Sequence, residues 1–327
     1  MTPCRLTLPF LLLLLAACTA TSSGPRGEPA PDEAERERQL READGERRNL
    51  LAVLVKLDQS MESYSRALFA SSARSESDAT RLYRLIRENV LDIGTQARRP
   101  GEAERAPGHN FVLLQSLAVD EREPAQRAIA VAALGFSGRP EVMPLIAQAT
   151  QAPDPVLVDR AVFGLAVLRA PATPPGLLAA VLADGKRTEA SRTQAAWALY
   201  HLQDISERRP EIVAIWRNCL TEGAGNLPAG VVVQAIRGLG AERDAQHIAL
   251  VAKFVKHPVP KVREATAVAL GRLNAQQHVD DLLAMISPAE TVPNVRLAAQ
   301  KALSALSGGE DHGYDIAAWR KTFDRGR

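Results

Sequence analysis

The sequence predicts an all-α chain whose main part is an α-solenoid of about six helix pairs, preceded by an α-helical hairpin. The first observation is a block that repeats. An arginine, five residues, a small residue, an aliphatic residue and often a glycine recur from Arg127, Arg160, Arg192, Val232, Arg263 and Arg296. The starts lie 33, 32, 40, 31 and 33 residues apart, and self-similarity at a period of about 20–50 residues marks a solenoid. Six residues after each start the side chain is small: Ala133, Ala166, Ala198, Gly238, Ala269 and Ala302. Seven after, it is aliphatic: Leu134, Val167, Leu199, Leu239, Leu270 and Leu303. The small residue lets neighbouring helices approach, and the aliphatic one fills their shared core. Secondly, shorter apolar-periodic segments begin near Asn110, Pro140, Pro174, Arg209, Ala245 and Ala275. Each unit therefore reads as helix A, turn, helix B, turn. Thirdly, the 327 residues are 46% hydrophobic but only 4% aromatic. That supplies a core while disfavouring strands, which prefer aromatic and β-branched residues.

At the N-terminus, residues 1–17 read as an export signal. Arg5 and the terminal amine precede an apolar run from Leu6 to Ala17. The run is too short to span a bilayer as a helix, which needs about twenty residues, and it suits the apolar region of a signal peptide. Its end, Leu15-Ala16-Ala17-Cys18, resembles the lipobox of bacterial lipoproteins. The resemblance implies cleavage before Cys18, lipidation of its thiol and acylation, typically with palmitate, of the new amine. Two or more lipid chains anchor a protein stably, so the membrane is an expected partner through this anchor. Thr19, in place of aspartate, implies the outer membrane, with the chain facing the periplasm. The alternative is ordinary cleavage nearby, leaving a soluble secreted protein. Cys4 leaves with the signal and Cys18 is capped, so Cys219 is the one remaining thiol. It is expected as a small buried hydrophobe. Loss of Arg5 and of no acid lowers the net charge from +2 to +1, too near neutral to argue for nucleic acid.

Residues 18–46 are expected to form a flexible charged tether. Residues 19–31 are small, glycine- and proline-rich. Residues 32–48 interleave both charges, the pattern of a solvated helix face with opposite signs at i,i+3 and i,i+4. Residues 47–98 are expected as the hairpin. Leu50, Leu54, Leu57, Met61, Tyr64 and Leu68 are spaced 4, 3, 4, 3 and 4, and a second helix is predicted over Ser77 to Gln96. This first stripe permits a coiled-coil dimer or a hairpin packed on the array. Val53 and Val55 broaden it beyond a seam and favour the hairpin. Residues 98–109 form a loop with two Pro-Gly steps.

Over residues 110–307, Pro124, Pro155, Pro228, Pro260 and Pro293 stand at the starts of B helices, where a missing N–H costs nothing. The A/B pairs, the B-helix arginine and the Ala-Leu-Gly ending resemble HEAT repeats, particularly the short form of phycobilisome-lyase-like arrays. The resemblance implies an acid six residues before each arginine, bonded between neighbouring repeats. Glu121/Arg127, Asp154/Arg160 and Glu290/Arg296 keep that spacing, whereas Lys186, Asn226 and His257 break it. Pro144 within a helix A implies the kink common in that family. Residues 308–327 resemble the end of secreted bacterial HEAT-repeat proteins. Gly308-Gly309 stops the last B helix, Asp315 caps a final helix, and Ile316, Trp319 and Phe323 are expected to cover the end of the array.

The B-helix arginines read as that inter-repeat ladder in preference to an anion-binding stripe. The six histidines lack metal-ligand spacing, and no His-Glu dipeptide of the kind repeated in deoxyhypusine-hydroxylase-like HEAT enzymes occurs. H-E-x-x-H, Cys-x-x-Cys, G-x-S-x-G and phosphate-loop patterns are also missing. No catalytic residue, metal or cofactor is therefore expected. One polar-aromatic cluster stands out. Positions one, five and eight after the arginine are expected to face the concave surface, and most are small or aliphatic. The middle repeats place Trp197, Tyr200 and Arg237 there, with His201 adjacent. Such residues suit a protein or peptide partner, since Trp, Tyr and Arg dominate interface hot spots. The alternative is space-filling in the longer third unit. The sequence thus predicts a non-catalytic, lipid-anchored scaffold presenting a protein- or peptide-binding surface in the periplasm. A lyase-like enzyme or enzyme subunit, and a structural envelope component associating through the Leu50–Leu68 helix, are the alternatives.

Overall fold

The computed structural model describes residues 31–69, 73–91, 109–221 and 225–324. The signal, Cys18, residues 19–30 and the loop up to residue 108 lie outside these described residues. Fifteen α-helices and no strand occur among the described residues, and none of these helices is long and apolar enough to cross a membrane. The chain divides into two compact units, Met1–Leu51 and Ala52–Arg327.

Helix α1 spans Pro31–Phe69, so the expected boundary between tether and hairpin at residue 47 moves back. Opposite charges one turn apart support the added part, with Arg41 and Glu37 at 2.7 Å and Arg38 and Glu35 at 3.8 Å. Each such pair contributes only a few tenths of a kcal/mol, and this stretch is exposed.

Within the second unit, the later part of α1 is amphipathic. Leu54, Leu57 and Met61 are each 1% exposed, so the stripe lies in the chain's own core. At these three positions a dimer seam is not available. Helix α2 is Ala73–Leu91, starting earlier than predicted, and residues 92–96 of the predicted span lie outside the described residues. It buries Ile86 and Val90 and packs on α3 (His109–Val119) and α4 (Pro124–Leu134). The two helices meet at an aromatic cluster. The Tyr64 and Tyr83 rings lie 6.2 Å apart, and Phe136 sits 5.2 and 5.6 Å from them. Phe163 is 6.3 Å from Tyr64 and 5.9 Å from Phe136. Burial pushes the Tyr64 phenol up to about 12. These rings close the N-terminal end of the array, which a solenoid requires because an uncapped end leaves apolar surface in water.

The array continues as α5 (Met143–Ala149), α6 (Pro155–Leu168), α7 (Pro175–Ala183), α8 (Glu189–Gln203), α9 (Arg209–Thr221), α10 (Ala229–Glu242), α11 (Ile248–Ala252), α12 (Pro260–Arg272), α13 (Val279–Ile286) and α14 (Pro293–Leu306). From α3 onward each odd-numbered A helix packs on the B helix after it, and each B helix packs on the next. Six pairs result among the described residues. Every small and aliphatic position of the repeated block is buried. Pro140 and Pro144 split the second A helix into a 3-10 turn, Pro140–Val142, and α5. Helices α11 and α13 also follow 3-10 turns, Ala245–His247 and Gln276–His278, but without proline.

The arginines act mainly inside their own repeats. Nε of Arg127, Arg192 and Arg296 donates to the carbonyls of Ala118, Leu182 and Ile286 at 3.1, 2.8 and 3.2 Å. These carbonyls lie in the last turns of A helices, where no intrahelical donor remains. Among the spaced acids, Glu290 makes the expected bond between repeats, accepting from Arg263 at 2.8 and 2.9 Å. Glu121 stays 3.6 Å from Arg127, while Asp154 caps α6 by accepting from the Val156 N–H. Arg160 instead reaches Asp58 of α1 at 2.6 Å.

At the far end, positive φ values of 81° and 107° at Gly308 and Gly309 turn the chain out of α14. Helix α15 (Ile316–Asp324) starts on Asp315, whose carboxylate accepts from the Ala317 and Ala318 N–H groups. Trp319 is fully buried, donates to the Gly313 carbonyl at 3.0 Å and stacks on Phe323.

Candidate functional site

The B-helix positions one, five and eight after the arginine face the next B helix, which corrects the expectation that they line an open concave surface. A Cβ added to Gly135 would fall 2.4 Å from the Gly164 carbonyl, and one added to Gly240 would fall 2.8 Å from Ala269. Ala128, Ala132, Ala161 and Leu165 are consequently buried. In α14, which has no B helix after it, the matching Leu297 is 43% exposed.

Trp197 and Tyr200 therefore stand on the side of α8 that turns toward α10. Both are half-buried, as are His201 and, on α10, Arg237. Where the first repeat places Ala132 and Gly135 and the fifth Val268 and Gly271, these rings act as a wedge, and α8–α10 is the least extensive contact between consecutive B helices. The His201 ring meets Trp197 edge-on at 4.4 Å and Tyr200 at 5.6 Å. Burial, then the nearby Arg169 charge, holds the His201 pKa below its ordinary value, against a smaller opposing effect of Asp204. The imidazole is neutral at neutral pH.

Beneath the cluster a polar network ties α8, α9 and α10 together. Trp216 Nε1 donates to Gln203 Oε1 at 2.9 Å, and Gln203 Nε2 donates to the Gly238 carbonyl at 2.9 Å and to the Glu242 carboxylate. Glu242 also accepts from Arg209 Nε at 2.9 Å. A Cβ on Gly238 would lie 2.3 Å from Trp216 Nε1. This explains why the small position is glycine in this repeat and alanine in the others.

Beside the cluster lies an open cleft that the sequence did not reveal. Helix α1 contributes Met61, Glu62, Ser65 and Arg66, α6 contributes Asp159, Arg160 and Phe163, and α8 contributes Gln194, around a volume of about 520 Å³. A second space of about 550 Å³ adjoins it, sharing Ser65 and Gln194 and adding Glu189, Ala190 and Thr193. Gln194 is one turn from Trp197, so cleft and ring cluster share α8. The sequence signal for the cleft was the α1 stripe alone, which says that a face is buried but not against what.

Among the described residues, no three His, Cys, Asp or Glu side chains converge as a metal site. Cys219 is buried, which pushes its thiol up to about 11. It is the small hydrophobe expected of it.

This geometry defines an α-solenoid with a composite surface on α1, α6 and α8. Residues 220–311 match the family described as HEAT repeats, and the same A/B helix packing runs from α3 onward. No curated protein matches it significantly. Among solved structures it is similar to the CpcE–CpcF complex of phycocyanin lyase from Nostoc sp. PCC7120, at 19% identity over 65% of this chain and 82% of that one, with a TM-score of 0.45. An engineered protein matches at 15% identity over 62% and 98%, with a TM-score of 0.44. Human deoxyhypusine hydroxylase in complex with glycerol matches at 17% identity over 79% and 98%, with a TM-score of 0.33. Likenesses at this level assign the chain no activity.

Proposed function

We propose that the chain is a non-catalytic HEAT-repeat scaffold, lipid-anchored through Cys18 to the outer membrane, that presents a protein- or peptide-binding surface in the periplasm. The supporting observation is the half-buried Trp197–Tyr200–His201 ring cluster beside an open cleft in mid-array. Aromatic residues at a partly open junction supply large contact area with little side-chain entropy to lose on binding, as interface hot spots do. The anchor rests on Leu15-Ala16-Ala17-Cys18.

The experiment is in-cell crosslinking of the full-length protein followed by capture. Combined Trp197→Ala and Arg237→Ala changes are expected to lower partner capture about tenfold or more while the protein remains folded. Capture equal to wild type refutes the surface. Cys18→Ala is expected to abolish lipid labelling and membrane retention, and unchanged fractionation refutes the anchor.

A further inference from the structure

We infer that the α1–α6–α8 cleft takes a basic side chain, a lysine or arginine of a peptide, on the carboxylate of Asp159. This rests on the reading that α8 presents a partner-binding surface and names the chemistry of what binds.

The argument starts from charge that the protein does not compensate. Asp159 lines the cleft, and its Oδ1 is buried with no hydrogen-bond partner. A carboxylate so placed is stabilised by a cation or a strong donor. The two guanidiniums of the cleft are both engaged elsewhere. Arg160 reaches Asp58 at 2.6 Å, and Arg66 turns back along its own helix to donate to Ser63 Oγ at 3.3 Å. Glu62 and Glu189 add two further carboxylates, so the two spaces together carry three carboxylates against Arg66 and Arg160, and Arg160 is already paired with Asp58.

The rest of the lining suits a peptide. Met61 and Phe163 offer an apolar wall for the methylene stem of a long basic side chain. Ser65, Thr193 and Gln194 offer hydroxyls and an amide to a peptide backbone along the adjoining space. The two volumes, about 520 and 550 Å³, accommodate such a side chain with its flanking residues. An acidic side chain meets the Asp159 carboxylate in the same place and is disfavoured.

The test uses the full-length protein in detergent micelles and three fluorescent nine-residue glycine/alanine peptides. Their central residue is lysine, norleucine or glutamate, so the first two differ only in the ammonium group. Wild type is expected to bind the lysine peptide about tenfold tighter than the norleucine one and the glutamate peptide least. Asp159→Asn is expected to bring lysine and norleucine to equal affinity, whereas Trp197→Ala weakens all peptides in proportion. Equal affinity for lysine and norleucine in wild type overturns the inference without any variant. So does a lysine preference that survives in Asp159→Asn, or no binding of any peptide. Partner capture through Trp197 is decided separately by in-cell crosslinking, so failure of the cleft chemistry and failure of the surface are told apart.

Discussion

At the C-terminal end of the array a nine-residue helix closes the core: α15 buries Trp319 completely and stacks Phe323 on it. At the N-terminal end Tyr64, Tyr83, Phe136 and Phe163 do the equivalent work. There, however, α1 also reaches α6 and α8 and leaves an open cleft. Closing an array takes only a few rings on a short helix. Contacts of α1 beyond that need form a surface, and the wedge of Trp197 and Tyr200 lies next to it. The C-terminal end thus contributes stability, and the region from α1 to α10 holds the cleft and rings on which the proposed interaction surface rests.

The largest expected effect breaks the C-terminal closure. Trp319→Ala is expected to destabilise by about 3–5 kcal/mol, read as a lower Tm. Because repeats contact only their neighbours, amide exchange should quicken in α13–α15 and remain slow in α4–α6. Uniform loss of protection along the array contradicts the division of labour. A smaller effect probes the junction beside the site. Gly238→Ala places a methyl group against Trp216, which Gln203 holds in place, and is expected to cost about 1–3 kcal/mol by urea unfolding. An unchanged midpoint contradicts that close approach.

The smallest effect is in pH. His247 is 2% exposed, and burial, the largest cause, lowers its pKa from 6.5, as it does for His201. As pH falls through that value the unfolded chain takes up protons that the folded chain refuses, so stability declines. Glu290, held below 4.5 chiefly by its bonds from Arg263, contributes stability that is present above its unfolded value and lost as pH falls below it. Urea midpoints are therefore expected to drop modestly between pH 7.5 and 5.5 and again below about 4.5. A flat profile contradicts the burial of these groups.

Much of this comparison was legible in the sequence. The six small and six aliphatic positions are local to one helix and repeat, so their burial follows from spacing alone. Asp315 and Trp319 were legible as a cap because all of its parts fall within some twenty residues. Contacts between distant segments were not legible. Asp58 meeting Arg160 depends on where α1 docks, and Gly238 meeting Trp216 depends on how the A and B helices of one repeat pack together. The side of α8 that carries Trp197 was misjudged for a related reason. Helical periodicity groups residues on one face but does not say which neighbour that face meets. The helical start at Pro31 was underestimated because charge-rich sequence supports a solvated helix as readily as a tether.

The most direct test places a photocrosslinking residue at Gln194, in the cleft, or at Lys321, in the C-terminal cap, of the full-length protein in cells. Position 194 is expected to yield a discrete adduct that Trp197→Ala diminishes, and position 321 is expected to yield none. No adduct from position 194, or the same adduct from both positions, would contradict the assignment of the interaction surface to α1, α6 and α8.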